Sequence, residues 1–198
     1  METFARAAEA FATLVERIPD DAWAGPGLGE WDLRSLVGHT SRSLITVQTY
    51  LQRPAETEVI STPEHYYGLT VTFAAADPAA VVERGRQAGI ALGDDPGRAV
   101  RALLADVLPR VRVAGDPVIE TIVGGMRLST YLPTRTFELA VHCFDIARAT
   151  ALSFELPEEV LAEVATLAAR SAVAQGKGPE LVLALTGRAE LPAGFSVV

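Results

Sequence analysis

Residues 134–149 read TRTFELAVHCFDIARA, and their spacing decides the fold. At about 100° per residue, Glu138, His142 and Asp145 stand at i, i+4 and i+7 and share one narrow stripe of a helix. Phe137 and Val141 flank the stripe on one side, Leu139 and Ile146 on the other. Ala140, Cys143 and Ala147 occupy the far side, which leaves no broad solvent face. A helix that is apolar nearly all round is a buried helix. Two carboxylates and an imidazole along its centre are then unfavourable unless something satisfies them, and a metal ion does so.

Glu138 and His142, one turn apart, present an oxygen and a nitrogen to the same point, because Cβ atoms at that spacing lie about 5–6 Å apart. A second polar stripe runs along an earlier helix. Trp31-Asp32 opens that helix with Asp32 as its N-cap. Leu33, Leu36, Val37, Leu44, Val47 and Leu51 form its apolar face, and Ser35, His39, Ser43, Thr46 and Tyr50 line one edge. His39 is the candidate for a second nitrogen ligand. Two histidines and one carboxylate leave coordination positions open, as a catalytic site requires and a closed structural site does not. The competing reading is a hydrogen-bonded Glu138–His142 pair in the core, with His39 satisfied elsewhere.

The rest of the chain reads as further helices. Residues 2–18 carry Phe4, Ala8, Phe11, Leu14 and Val15 on one face, ended by Pro19. Gly25-Pro26-Gly27-Leu28-Gly29 is a loop without the preceding strand that a phosphate-binding glycine motif needs. Residues 55–76 read as a loop with a short helix near His65-Tyr66-Tyr67, where His65 is taken for a surface histidine. Asp77-Pro78 and Asp95-Pro96 are caps followed by N1 prolines, opening helices to about Leu92 and Val111. Val118 to Val123 suits a short strand turned back at Gly124-Gly125. Pro157-Glu158-Glu159 starts a helix to about Ala174, and LVLALTGR fits either a short helix or a buried strand. The pattern is mainly α, a helix bundle over residues 1–150 with a C-terminal helix and short tail, 151–198, packed on it.

Composition narrows the function classes. The net charge of −8 and the lack of a basic stripe argue against nucleic-acid binding. No apolar run approaches the ~18 residues of a membrane span, and the N-terminus lacks the pattern of a signal peptide. The single cysteine, Cys143, excludes an internal disulfide and suits a reducing cytoplasm. It points away from the polar stripe and reads as a core residue.

The segments GEWDLRSLVGHTSRSL, TRTFELAVHCFDIARA and LVLALTGRAELPAGFSVV resemble the mycothiol-dependent maleylpyruvate isomerase family, from about Ala8 onward. The anchors are W-D-x-x-x-L-V-x-H at Trp31 to His39 and E-L-x-V-H-x-x-D at Glu138 to Asp145. That resemblance implies a DinB-like metal-binding four-helix bundle. It also implies a divalent metal, zinc by the family's usual assignment, on His39, Glu138 and His142. Mycothiol is the implied cofactor, and a small electrophile is the implied substrate of an isomerase or S-transferase acting as monomer or homodimer. The isomerase itself has a sizeable C-terminal α/β domain. Residues 151–198 are too short for it, so a short family member with a different substrate is expected, and no arginine of that domain is carried over. Asp145 stands where it would orient an imidazole N–H, or else serve helix packing. Arg135 is expected to pair with Glu138, the other option being an anionic substrate. Ser43 and Tyr50 are pocket candidates. The alternative to an enzyme is a non-catalytic metal- or small-ligand-binding bundle.

Overall fold

The computed structural model describes residues 1–197; the side chains at 73–75 and Val198, the last residue of the expected C-terminal segment, lie outside the described residues. The chain runs through α1 (Glu2–Val15), β1 (Pro26–Leu28), β2 (Trp31–Asp32), α2 (Leu33–Tyr50), α3 (Pro63–Ala76) and α4 (Pro78–Ala91). There follow α5 (Pro96–Val113), β3 (Val118–Thr121), β4 (Gly124–Arg127), α6 (Leu128–Thr150), α7 (Glu158–Ala174) and α8 (Gly178–Leu185). The protein is mainly helical. Among the described residues, no helix is long and apolar enough to cross a membrane.

Four helices close a ring: α1 packs on α6, α6 on α2, α2 on α5, and α5 back on α1. Each turns a stripe of apolar side chains inward, as its spacing dictates. Phe4, Ala8, Phe11 and Val15 come from α1, and Leu36, Val37, Leu44 and Val47 from α2. Val100, Leu104, Val107 and Val111 come from α5, and Leu132, Leu139, Ala140, Cys143 and Ile146 from α6. Caps set where these helices begin. Asp32, Asp77 and Asp95 accept from the backbone N–H groups of Ser35, Ala80 and Arg98. Asp116 takes that part for α6 from outside the helix, accepting from both the N–H and the hydroxyl of Ser129 at 2.7 and 2.9 Å.

The close crossing of α4 on α2 positions one wall of the site. A Cβ on Gly38 would enter the backbone of Gly89, and one on Gly85 would stand 2.7 Å from the Trp31 indole. Only glycine lets the two backbones approach this far. Gly38→Ala is therefore expected to destabilise the protein by roughly 1–3 kcal/mol through overpacking, lowering Tm by a few degrees. Gly68→Ala is the control, because its added methyl meets nothing within 4 Å. Thermal unfolding followed by circular dichroism checks the pair; equal Tm values for Gly38→Ala and wild type would refute the close-packing account.

Several local expectations are corrected. The short helix expected within residues 55–76 is a full helix, α3. Its apolar and polar residues do not segregate to one face, so periodicity gave no signal. The glycine-rich stretch at 25–29 is not all loop, since Pro26–Leu28 pairs antiparallel with Trp31–Asp32. In the β3–β4 hairpin the reversal falls at Ile122-Val123, and Gly124-Gly125 pair within the second strand opposite Thr121 and Glu120. LVLALTGR is helical as far as Leu185, with Val182, Leu183 and Leu185 exposed. The central helix begins at Leu128, ahead of residue 134, and is not sealed along its whole length. Phe144 is 39% exposed and Arg148 is also exposed, because the bundle covers the first part of α6 more fully than its last two turns.

Candidate metal centre

His39 projects from the middle of α2, and Glu138 and His142 from adjacent turns of α6, the helix against which α2 packs. One ligand atom from each lies within 4.8 Å of the others. Ligands around a tetrahedral ion at about 2.0–2.1 Å stand roughly 3.4 Å apart. Glu138 Oε2 and His142 Nε2 are already near that spacing, 3.5 Å apart, while the three-residue group lies within 4.8 Å and would draw inward around an ion. The rings of His39 and His142 meet edge to face, with centroids 5.0 Å apart.

Each of the three is held from behind. The Trp31 ring lies against His39 at 4.3 Å between centroids, anchored by its Nε1–H donating to the Val82 carbonyl. Asp145 Oδ2 is 3.2 Å from His142 Nδ1, which leaves Nε2 as the nitrogen turned toward Glu138. The Tyr67 hydroxyl lies 2.9 Å from both Glu138 Oε1 and the Thr134 carbonyl, so its one proton serves either acceptor. Outer partners of this kind fix ring tautomer and carboxylate orientation at metal sites.

Electrostatics divides the two histidines. Burial, aided by the neighbouring His142 charge, presses the His39 pKa down to about 3, so this ring is neutral. Burial also opposes charge on His142, but hydrogen bonds to Asp145 and Glu138 outweigh it and lift its pKa to about 9. Burial likewise works against the Glu138 carboxylate; the His142 hydrogen bond and the Arg135 charge prevail and hold its pKa down to about 2. Side-chain exposures of 12% for His142, 23% for Glu138 and 17% for Asp145 describe a sheltered site that solvent still reaches. The donor set suits a metal on a further count. His39 Nδ1 is buried with no hydrogen-bond partner among the described residues, an expensive state for a polar atom unless a ligand accounts for it.

The site opens into a pocket of about 280 Å³. His39, Ser43, Thr46 and Tyr50 line it from α2, Tyr66 and Tyr67 from α3, and Arg135 and Glu138 from α6. The structure thus brings together His39, Glu138, His142, Asp145, Arg135, Ser43 and Tyr50. It does not bring Ser35 or His65: Ser35 is buried at the start of α2 and His65 is exposed. The expected Arg135–Glu138 ion pair does not form. The Arg135 guanidinium stacks on Tyr66 and Tyr131, 5.4 and 5.0 Å from the ring centroids, and its Nε donates to Thr134 Oγ1. Cation–π attraction to these two rings holds Arg135, which acts on Glu138 only through space. Cys143 is fully buried on the far side of α6, where burial pushes its thiol pKa up.

Tyr67, Arg42 and Arg84 went unread in the sequence. Tyr67 sits on the helix whose periodicity was silent, and Arg84 is brought near only by the glycine crossing. Arg42, three residues after His39, was legible as a neighbour on the same helical edge. A larger depression of about 980 Å³ between α1 and the start of α5 holds no comparable group of ligating atoms among the described residues.

Residues 4–147 match the family model of the mycothiol maleylpyruvate isomerase N-terminal domain. The match takes in every residue of the site described above. Comparison with curated proteins and with solved structures returned no match.

Proposed function

The chain belongs to the mycothiol maleylpyruvate isomerase N-terminal domain family, and from that premise we propose that it is a metal-dependent enzyme acting on a small electrophile with a low-molecular-weight thiol, mycothiol. His39, Glu138 and His142 would hold the ion, zinc by the chemistry of two imidazoles and a carboxylate. Bound there, zinc would supply the Lewis acidity that favours the nucleophilic thiolate form of the cofactor. The observation that carries this reading is that three ligating side chains converge, and that two of them, His39 and Glu138, line an open pocket.

The chain's own residues do the positioning. Asp145 keeps a proton on His142 Nδ1, so that Nε2 offers its lone pair to the site. Tyr67 occupies one oxygen of Glu138 and leaves the other facing His142. Trp31 shields His39 from water on one side. The Tyr50, Tyr66 and Tyr67 rings give a reactant flat apolar surfaces within the pocket. Mycothiol, when bound, would supply the nucleophilic sulfur that either an isomerisation or an S-transfer at an activated double bond requires. Asp145→Asn, which keeps shape but weakens the hold on His142, is expected to reduce zinc affinity about 10- to 100-fold; competition with a chromophoric chelator measures it, and an unchanged affinity would deny Asp145 this part.

Cobalt(II) in place of zinc tests the thiol reading. Titration with mycothiol or a simpler cysteinyl thiol is expected to raise a sulfur-to-cobalt charge-transfer band that saturates near one thiol per ion, since a soft thiolate displaces water. Cys143→Ser should leave the band unchanged, because that side chain is sealed in the core. With cobalt demonstrably bound, absence of the band would favour a non-catalytic metal-binding bundle.

A further inference from the structure

Acidic residues outnumber Lys and Arg by 25 to 17 in this chain. Arg6, Arg86, Arg101, Arg110, Arg127 and Arg170 each pair with a carboxylate. The pocket over the metal centre gathers arginines that do not. Arg42, Arg84 and Arg135 all line it, and Glu138, already engaged by His142 and Tyr67, is its one acid among the described residues. Arg135 is held by its two tyrosine rings. The guanidinium groups of Arg42 and Arg84 form no hydrogen bond or ion pair among the described residues, although both residues are partly buried.

Placing like charges together under partial burial is unfavourable unless an anion joins them. The repulsion is visible at Arg42, whose pKa is lowered by burial first and then by the charge of Arg84. The fold nevertheless fixes the two side by side. Arg42 follows His39 by one turn of α2, and Arg84 precedes Gly85, which packs under Trp31 where α4 presses on α2. Their charge therefore has a defined place beside His39. The remaining lining, Thr70, Val71, Val81 and Ile122, offers no competing acid.

We propose that Arg42 and Arg84 form an anion-recognition pair that receives the oxyanion group, carboxylate or phosphate, of the reactant other than the thiol. This assignment rests on the thiol-dependent reading of the same site and specifies which electrophiles it accepts: small ones carrying an oxyanion close to the reacting carbon. Guanidinium forks match the planar spacing of such groups and hold them by charge-assisted hydrogen bonds. In a pocket already containing Tyr66 and Tyr67, that grip would fix the reactant's orientation toward His39 and Glu138.

Isothermal titration of the metal-free protein at low ionic strength tests the pair without letting the probe bind a metal. Succinate is expected to bind saturably at one site and weaken with added salt, while its neutral diamide, succinamide, should not bind. Inorganic phosphate as a second probe separates the two sources: tighter phosphate binding points to a phosphorylated reactant, tighter succinate binding to a carboxylated one, and either supports the pair. Arg42→Gln and Arg84→Gln should each raise the Kd at least about tenfold, and Arg42→Lys should recover part of the loss. Arg86→Gln, on the outer side of α4 and paired with Glu83, should leave it unchanged. Circular dichroism on each variant confirms the fold. No saturable binding, or binding insensitive to both Arg42→Gln and Arg84→Gln, would overturn the assignment. The cobalt–thiol band separates this from the parent reading: a band with no anion site removes the arginine pair alone, and an anion site with no band removes the thiol alone.

Discussion

About one divalent ion is expected to bind per chain, and alanine at His39, Glu138 or His142 is expected to strip it. Structural zinc sites with four ligands gain about 10–16 kcal/mol, so one ligand is worth roughly 3 kcal/mol, or about two orders of magnitude in Kd. The geometry makes the three losses comparable, because each residue contributes one atom to a group spanning no more than 4.8 Å. Cys143→Ala sets the background, since it deletes a buried side chain of α6 that does not face the site. Elemental analysis after gel filtration, and chelator competition for the residual affinity, give the comparison. Full metal content in both histidine variants would show that the ion, if any, sits elsewhere.

Metal affinity should also change with pH in a way peculiar to this pair of histidines. Two ordinary imidazoles, each with a pKa near 6.5, would leave affinity flat above that pH and make it fall a hundredfold per unit below. Here His39 is already neutral down to about 3, and His142 holds a proton up to about 9. Glu138, with its pKa held down to about 2, is ionised throughout. One proton, on His142, therefore has to leave for each ion bound. Affinity is expected to fall about tenfold per pH unit from pH 8 to pH 5, close to a thousandfold in all. A flat profile above pH 7 would remove the salt-bridged imidazolium from the metal-free state.

In the metal-free protein the groups pull in different directions: His39, with its folded pKa lowered from 6.5, makes a contribution that is complete above 6.5 and is lost as pH falls toward about 3. His142 has its folded pKa raised above 6.5, so its contribution to stability is complete below 6.5 and is lost as pH rises through about 9. Glu138 has its folded pKa lowered from 4.5, so its contribution is complete above 4.5 and is lost as pH falls toward about 2. Stabilisation by metal grows with affinity. The gap in Tm between zinc-loaded and chelated protein should accordingly widen from pH 5 to pH 8.

The sequence by itself determined most of the helices and the polar stripe on α6. Helical period sorts Phe4, Phe11, Leu36, Leu44, Val100 and Leu139 onto inward faces whatever their partners are, and each of them is buried. The aspartate caps before α2, α4 and α5 are equally local, because a cap needs only its own next three residues. The same locality put Glu138, His142 and Asp145 in line on one helix and marked His39 on another. What lay beyond one helix was decided by packing alone. Nothing in α3 told that Tyr67 would reach Glu138, because that helix has no apolar face to announce its orientation. Arg135 lies one turn from Glu138, and spacing favoured an ion pair; the Tyr131 ring one turn earlier on α6 and the Tyr66 ring brought in from α3 took its guanidinium instead. The opposite pKa shifts of His39 and His142 also depend on tertiary structure, since burial acts on both rings and only His142 has a carboxylate on each side. Arg84 joins the pocket only because Gly38, Gly85 and Gly89 let α4 settle onto α2, an approach set by atoms far apart in the chain.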